Sequence, residues 1–175
     1  MNKATTQAGT DPFGFGFPWN VYDTTSHGAG LAVMASEYTF LSNTNTYTDF
    51  GNRWLANILG TNAWGTSLIV GDGSTFPDCM QHQVANLVPN PPNGPPFLLG
   101  AAVEGPNSFA AKGTLTNMRA CPPNGVDVFA QFNSRAAVYQ DFVQSFSTVE
   151  PAIDLTASSP LAFAWQIAGA PSGTP

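Results

Sequence analysis

Residues 26–43, SHGAGLAVMASEYTFLSN, and 46–59, TYTDFGNRWLANIL, decide the fold class. In the first, Leu31, Met34, Ala35, Tyr38 and Leu41 recur at three- and four-residue spacing, which lines them along one side of a helix. Ser26 stands where an N-cap is expected. In the second, Tyr47, Phe50, Trp54, Leu55 and Ile58 share a face and Gly60 supplies the stop. The two stretches predict an antiparallel helix pair.

Outward from this pair the helical period fades. Residues 11–25, DPFGFGFPWNVYDTT, mix Gly, Pro and aromatics and read as irregular. From Thr61 to about Pro106 the chain is rich in Gly, Pro and Asn, and VPNPPNGPPF (88–97) excludes a helix interior. A loop this long is functional or disordered, and the anchors Trp64, Leu68, Ile69, Val70, Phe76, Leu98 and Leu99 predict an ordered one. VDVFAQFN (126–133) reads as a short strand or a loop. SSPLAFAWQIA predicts a last helix from Ser158 to Ala168, with Pro160 in the tolerated first turn. No repeat of 20–50 residues is visible. The expected class is mainly α with long ordered loops.

The 175 residues suit one domain, expected over 11–170, with 1–10 as a disordered or appended tail and 171–175 as a tail or linker. Net charge is −6, and the five cations, Lys3, Arg53, Lys112, Arg119 and Arg135, are scattered, so no basic stripe exists for nucleic acid. No apolar run approaches the ~20 residues of a membrane span, and residues 1–10 lack the apolar core of a signal peptide. Sparse charge beside many aromatics, amides and hydroxyls suits a neutral polar ligand such as a sugar. Cys79 and Cys121 are either two buried thiols or a disulfide closing a loop of about 40 residues. Their Pro-flanked, loop-like settings, FPDCMQ and RACPPN, favour the disulfide and with it an oxidising, extracellular compartment.

Most catalytic chemistries find no motif. His27 and His82 stand apart, without zinc spacing, so no metal or other cofactor is expected. There is no G-x-S-x-G elbow, no phosphate-binding P-loop, and Cys79 lies three residues from His82 in apparent loop. Carboxylates remain. Asp141, Glu150 and Asp154 fall within fourteen residues, among apolar neighbours whose desolvation would raise a carboxyl pKa and make a general acid. Equally, Glu150 and Asp154 would fit the first turn of the last helix, where negative charge is favourable by ~0.3–1 kcal/mol. Spacing alone does not separate the two roles.

Four ordered stretches do. LGTNAWGTSLIVGDG (59–73) resembles the L-G-x-N-x-x-G-x-S-[FY]-V-x-G-x-G segment of family 9 glycoside hydrolases. GAAVEGPN (100–107) is similar to that family's G-x-L-V-G-G-P loop, YQDFVQSF (139–146) to Y-x-D-x-R-x-x-Y, and TVEPAIDLTA (148–157) to x-N-E-V-A-I-D-Y-N-A. FGFPWNVYDTTSHGAG resembles the segment before the penultimate helix pair. The resemblance implies an inverting β-1,4-glucanase acting on cellulose or related β-glucans, here as the C-terminal part of an (α/α)6 barrel of the six-hairpin glycosidase type. It also implies Glu150 as the general acid and Asp141 and Asp154 as supporting residues. His82, in CMQHQ, takes the place of a sugar-contacting histidine, with Gln83 near the position of the family's arginine. Val143 and Phe146 replace the Arg and Tyr of the D-x-R motif, removing two hydrogen-bond donors.

An inverting hydrolase also needs a base carboxylate about 6.5–9.5 Å from the acid, and the family's D-A-G-D-type motif for it does not occur in this sequence. Asp11 and Asp23 stand in unrelated contexts; Asp72 and Asp78, on the loop expected to face the cleft, are the candidates. A non-catalytic carbohydrate-binding fragment is the alternative, with Trp19, Trp64 and His82 on the sugar, and a ligand-free structural fragment is a third. Part of a barrel would expose apolar helix faces, so self-association is expected.

Overall fold

The computed structural model describes residues 1–17, 19, 22–87, 97–108 and 111–169. Among them the helices are α1 (Asn2–Ala8), α2 (Thr24–Ser42), α3 (Thr48–Ile58), α4 (Gln83–Leu87), α5 (Phe146–Val149) and α6 (Ile153–Ala168), with a 3-10 turn at Ala130–Phe132. α2 packs against both α3 and α6, and this triple-helix layer carries the described loop residues between 61 and 152. The segments expected as a polyproline loop (88–96) and as a terminal tail (171–175) lie outside the described residues.

α2 and α3 form the expected pair, but α2 uses a different face. It buries Gly28, Ala29, Ala32, Ala35 and Thr39, while Met34, Tyr38 and Leu41 are 48%, 39% and 82% exposed. The reason is distance between axes. A Cβ added to Gly51 of α3 would stand 2.9 Å from Cβ of Ala35, so the helices meet almost backbone to backbone, which bulky side chains would prevent. α3 keeps the predicted stripe, with Trp54, Leu55 and Ile58 buried, and Gly60 follows at φ 112, a left-side conformation that favours glycine.

Three further expectations are corrected. α2 begins at Thr24 after Asp23, and Ser26 lies inside the first turn, its hydroxyl donating to the Asp23 carbonyl at 3.1 Å. Residues 1–10 are not a disordered tail. Ala4 and Ala8 of α1 are buried, Ala4 in one cluster with Ala35 and Trp54. α6 starts at Ile153, so Pro160 sits in the helix interior, where it offers no N–H to the carbonyl one turn earlier. The early start is anchored by Thr156, whose hydroxyl donates to the Ala152 carbonyl at 2.9 Å and accepts the Ala102 N–H at 3.1 Å.

Among the described residues the loop layer forms no strands. Its antiparallel contacts are isolated bridges, Ile69 with Ala102, Val103 with Pro151 and Asn107 with Val138. Leu68, Ile69, Val70, Met80, Val103, Tyr139 and Val149 join Ala29, Ala32, Ile58 and Leu155 of the helices in one core. Leu99, expected as an anchor, is 61% exposed. VDVFAQFN resolves into the 3-10 turn, with Phe129 buried before it. Cys79 and Cys121 form a disulfide, Cα–Cα 5.2 Å.

Candidate active site

Glu150 is not a helix-start residue. It follows α5 in extended conformation, φ −72 and ψ 122. Its N–H donates to the Phe146 carbonyl at 3.1 Å, and its carbonyl accepts the Glu104 N–H at 3.0 Å. The first-turn position of α6 belongs to Asp154, which is exposed. Pro151 forces the chain after Glu150 away from helix, since the residue before a proline is held in extended conformation. Glu150 is half-buried, and burial raises its carboxyl pKa above the ordinary 4.5.

Asp141 stands on the neighbouring segment with both oxygens engaged. They accept the N–H groups of Asp78 at 3.0 Å and Cys79 at 2.9 Å. Burial raises its pKa from 3.8 to about 6; Asp78 and Asp127 add repulsion, and the two amide hydrogen bonds oppose the rise. The disulfide carries the same tie further, since the Val143 N–H donates to the Cys121 carbonyl at 3.0 Å. Asp141 therefore fastens the 78–80 loop to the segment leading to Glu150. Val143, at the arginine position of the D-x-R pattern, is core at 1% exposure. Phe146 is partly buried and packs near Tyr22, ring centroids 6.2 Å apart.

His82 comes next to the Glu150 segment because the preceding N–H, that of Gln81, donates to the Val149 carbonyl at 3.2 Å. It lines a cavity of about 370 Å³ with Leu98, Pro151, Ala152, Ile153 and Thr156. Gln83 opens α4 and is exposed. Asp78 and Asp72 are exposed, and Asp72 accepts the Ser67 hydroxyl at 3.0 Å.

The two tryptophans lie elsewhere. Trp19 and Trp64 meet edge to face at 6.2 Å and line a different cavity of about 420 Å³ with Asp11, Phe13, Asn57 and Phe132. The two cavities share no lining residue. Trp19 stacks on Phe15 at 4.3 Å and its indole N–H donates to Asp11 at 3.0 Å. Trp64 is only 5% exposed, its N–H bonded to Asn133 at 2.7 Å. Glu150, Asp141 and His82 thus belong to adjoining segments, Asp154 follows on α6, and the tryptophans form a separate aromatic pocket. Among the described residues no group of three His, Cys, Asp or Glu side chains could hold a metal ion.

One acid escaped the sequence reading. Glu104 accepts the Asp23 N–H through Oε2 at 2.6 Å. Burial raises its pKa to about 7, with the Asp23 and Glu150 carboxylates adding to the rise and the Asp23 amide opposing it. A signal for it was present: in GAAVEGPN, Glu104 occupies a glycine position of the G-x-L-V-G-G-P pattern, in a chain with only 9% charged residues. The arrangement offers half-buried carboxyls that keep protons toward neutral pH, which is what general-acid chemistry requires.

The family model described as Glycosyl hydrolase family 9 matches residues 1–163. No curated protein matches. Among solved structures, the cellulase Cel9M of C. cellulolyticum in complex with cellobiose superposes with TM-score 0.63 at 21% identity, over 96% of this chain and 34% of its own. A metagenome-derived family 9 endoglucanase gives 0.68 at 19%, over 95% and 27%. A thermostable endoglucanase of Alicyclobacillus acidocaldarius gives 0.68 at 17%, over 94% and 29%. The fold is therefore part of the barrel these enzymes share, and the chain spans about a third or less of their length.

Proposed function

This chain belongs to glycosyl hydrolase family 9, and from that premise we propose that it serves a cellulase-type hydrolase in which Glu150 is the general acid. The observation that carries the reading is the placement of Glu150. It lies between α5 and α6 on extended backbone, half-buried, with a carboxyl pKa raised by desolvation, a shift that favours the protonated form a general acid needs at the leaving glycosidic oxygen of a β-1,4-glucan. Asp141 supports it by holding the 78–79 backbone, which in turn presents His82 as a sugar contact. Asp154 offers a polar contact from the first turn of α6.

Inversion demands a base on the far side of the sugar ring. Asp72 and Asp78, exposed on the loop before His82, are the candidates within this chain. The disulfide supports an extracellular setting. Exposed apolar residues on α2 and α6, including Leu41, Ile153 and Ile167, support association with a covering surface, a second copy included.

A second reading is favoured by one observation: the Trp19–Trp64 pocket is separate from the Glu150 segment. In that reading the chain binds saccharide in this pocket with Trp19 as the aromatic contact, since the expected contact Trp64 is buried, and Glu150 is idle. Reducing-sugar release from a soluble cellulose derivative, compared between wild type and Glu150→Gln, decides. The proposal expects a loss of at least 100-fold on the scale of general-acid catalysis, roughly 10²–10⁴. Equal, measurable rates would remove Glu150 from the chemistry, and no rate in either protein with retained cello-oligosaccharide binding would select the second reading.

A further inference from the structure

Val103 and Pro151 form an antiparallel bridge, and that register sets the next pair, Glu104 and Glu150, directly opposite each other. The Glu104 N–H donates to the Glu150 carbonyl at 3.0 Å, one of the two bonds of such a pair, while the Glu150 N–H turns to the Phe146 carbonyl. Residues opposite in an antiparallel pair project to the same face with Cβ atoms about 4.5–5.5 Å apart, and like charges there repel. Glu104 has little freedom to turn away. Its carbonyl accepts the Thr25 N–H at 3.1 Å and its carboxylate accepts the Asp23 N–H. The following Gly105 is wedged so tightly that an added Cβ would stand 2.7 Å from the Thr25 hydroxyl. A carboxyl is thus held at the start of α2, near enough to Glu150 for the two charges to repel.

We propose that Glu104 is a positioning residue of the candidate site: standing opposite Glu150 on the paired backbone, it makes the two carboxyls hold one proton between them. The inference rests on the reading of Glu150 as the acid, and it explains why a glutamate occupies a position that the G-x-L-V-G-G-P pattern gives to glycine. Burial pushes the Glu104 carboxyl up to about 7, with Asp23 and then Glu150 adding repulsion. The other titratable groups nearby are Asp23, whose carboxyl faces Glu104, His27, whose Nδ1 lies 2.7 Å from the Asp23 carbonyl, and His82 beside Pro151.

The test is a carboxyl-carbon NMR titration of the glutamate-labelled protein, which does not depend on turnover. In the wild type, Glu104 and Glu150 should titrate in two linked steps, each carbon reporting both. Glu104→Gln should leave Glu150 a single step, Glu150→Gln should lower the pKa of Glu104 by about half a unit or more, and Glu104→Asp should retain two steps. A Glu150 titration that is single in the wild type and unmoved in Glu104→Gln overturns the proposal. If Glu104→Gln does not fold, the Glu150→Gln arm decides alone: an unmoved Glu104 overturns the proposal. Linked titration with full hydrolysis in Glu150→Gln would remove the catalytic reading and leave the pair; unlinked titration with hydrolysis lost in Glu150→Gln would do the reverse.

Discussion

The triple-helix layer and the loop layer are held together by different physics. α2, α3 and α6 join through close contact of small residues around large apolar ones, Ala32, Ala35 and Gly51 beside Trp54, Leu55 and Ile58. The described loop residues between 61 and 152 are tied by scattered backbone bonds rather than a ladder, such as Val70 to Ala101 and Val103 to Leu68, and polar side chains add to them. Asn62 alone donates to the Asn57 and Thr66 carbonyls at 2.8 Å each and accepts the Trp64 N–H at 3.2 Å. Thr148 donates to the Gln140 carbonyl at 2.6 Å and Asp141 accepts two amides. The raised carboxyls Glu104, Asp141 and Glu150 all lie in this second layer. Both layers share one apolar core, and the site adds side-chain hydrogen bonds to it.

The comparison breaks most visibly at Trp54, which is 0% exposed. Trp54→Ala should cost ~3–5 kcal/mol, read as a lowered urea midpoint with loss of helical circular dichroism. Trp54→Phe should cost much less, because the indole N–H it removes has no hydrogen-bond partner. Comparable losses in both variants would mean that the helices depend on something other than apolar volume at this point.

The loop layer has its own staple, the disulfide between residues 42 apart. Cys79→Ala with Cys121→Ala should cost roughly 3–4 kcal/mol in the chain-entropy model. Amide exchange should accelerate first at Asp78, Cys79 and Gln81, whose N–H groups bond across to Asp141 and Val149. Uniform acceleration through α2 and α3 instead would show that the two layers open as one. Asn62→Ala is the next smaller test, about 1–3 kcal/mol, since it takes the side-chain donor from the buried Thr66 carbonyl and leaves the Asn57 carbonyl only the Gly60 N–H at 3.4 Å. A cost below about 0.5 kcal/mol would show that the polar anchors are replaceable.

The same contrast explains what the sequence revealed. Helices α2, α3 and α6 were legible because a 3.6-residue period repeats over many residues. The face of α2 was not, because a helix with apolar residues on several sides is assigned by its partners, and two close partners select Ala and Gly over Met34 and Leu41. The roles of Asn62 and Thr148 depend on carbonyls brought near by the fold, and an Asn in a Gly-rich loop looks the same when idle. For Glu150 it is the motif context that carries the proposed role. Glu104 was not legible, because its carboxylate is fixed by Asp23, 81 residues earlier in the chain, and its opposition to Glu150 is set by a bridge no periodicity announces.

The pH-dependent effect is the most specific to the loop layer. Asp141 has an ordinary pKa of 3.8 raised to about 6 by burial, so between these values the folded state binds more protons than the unfolded chain. Stability contributed by this group is therefore complete below pH ~4 and is lost as pH rises through about 6. Asp141→Asn removes the titration and one of the two acceptors used by Asp78 and Cys79, a fixed cost of about 1 kcal/mol. Glu104 and Glu150 titrate in both proteins, so the difference between the two urea midpoints isolates Asp141. The wild type should lose its advantage over Asp141→Asn steadily from pH 4 to pH 6. Parallel curves across that window would mean that solvent reaches the carboxylate freely, and that the two amide bonds, rather than burial, govern the group that fastens the His82 loop to the Glu150 segment.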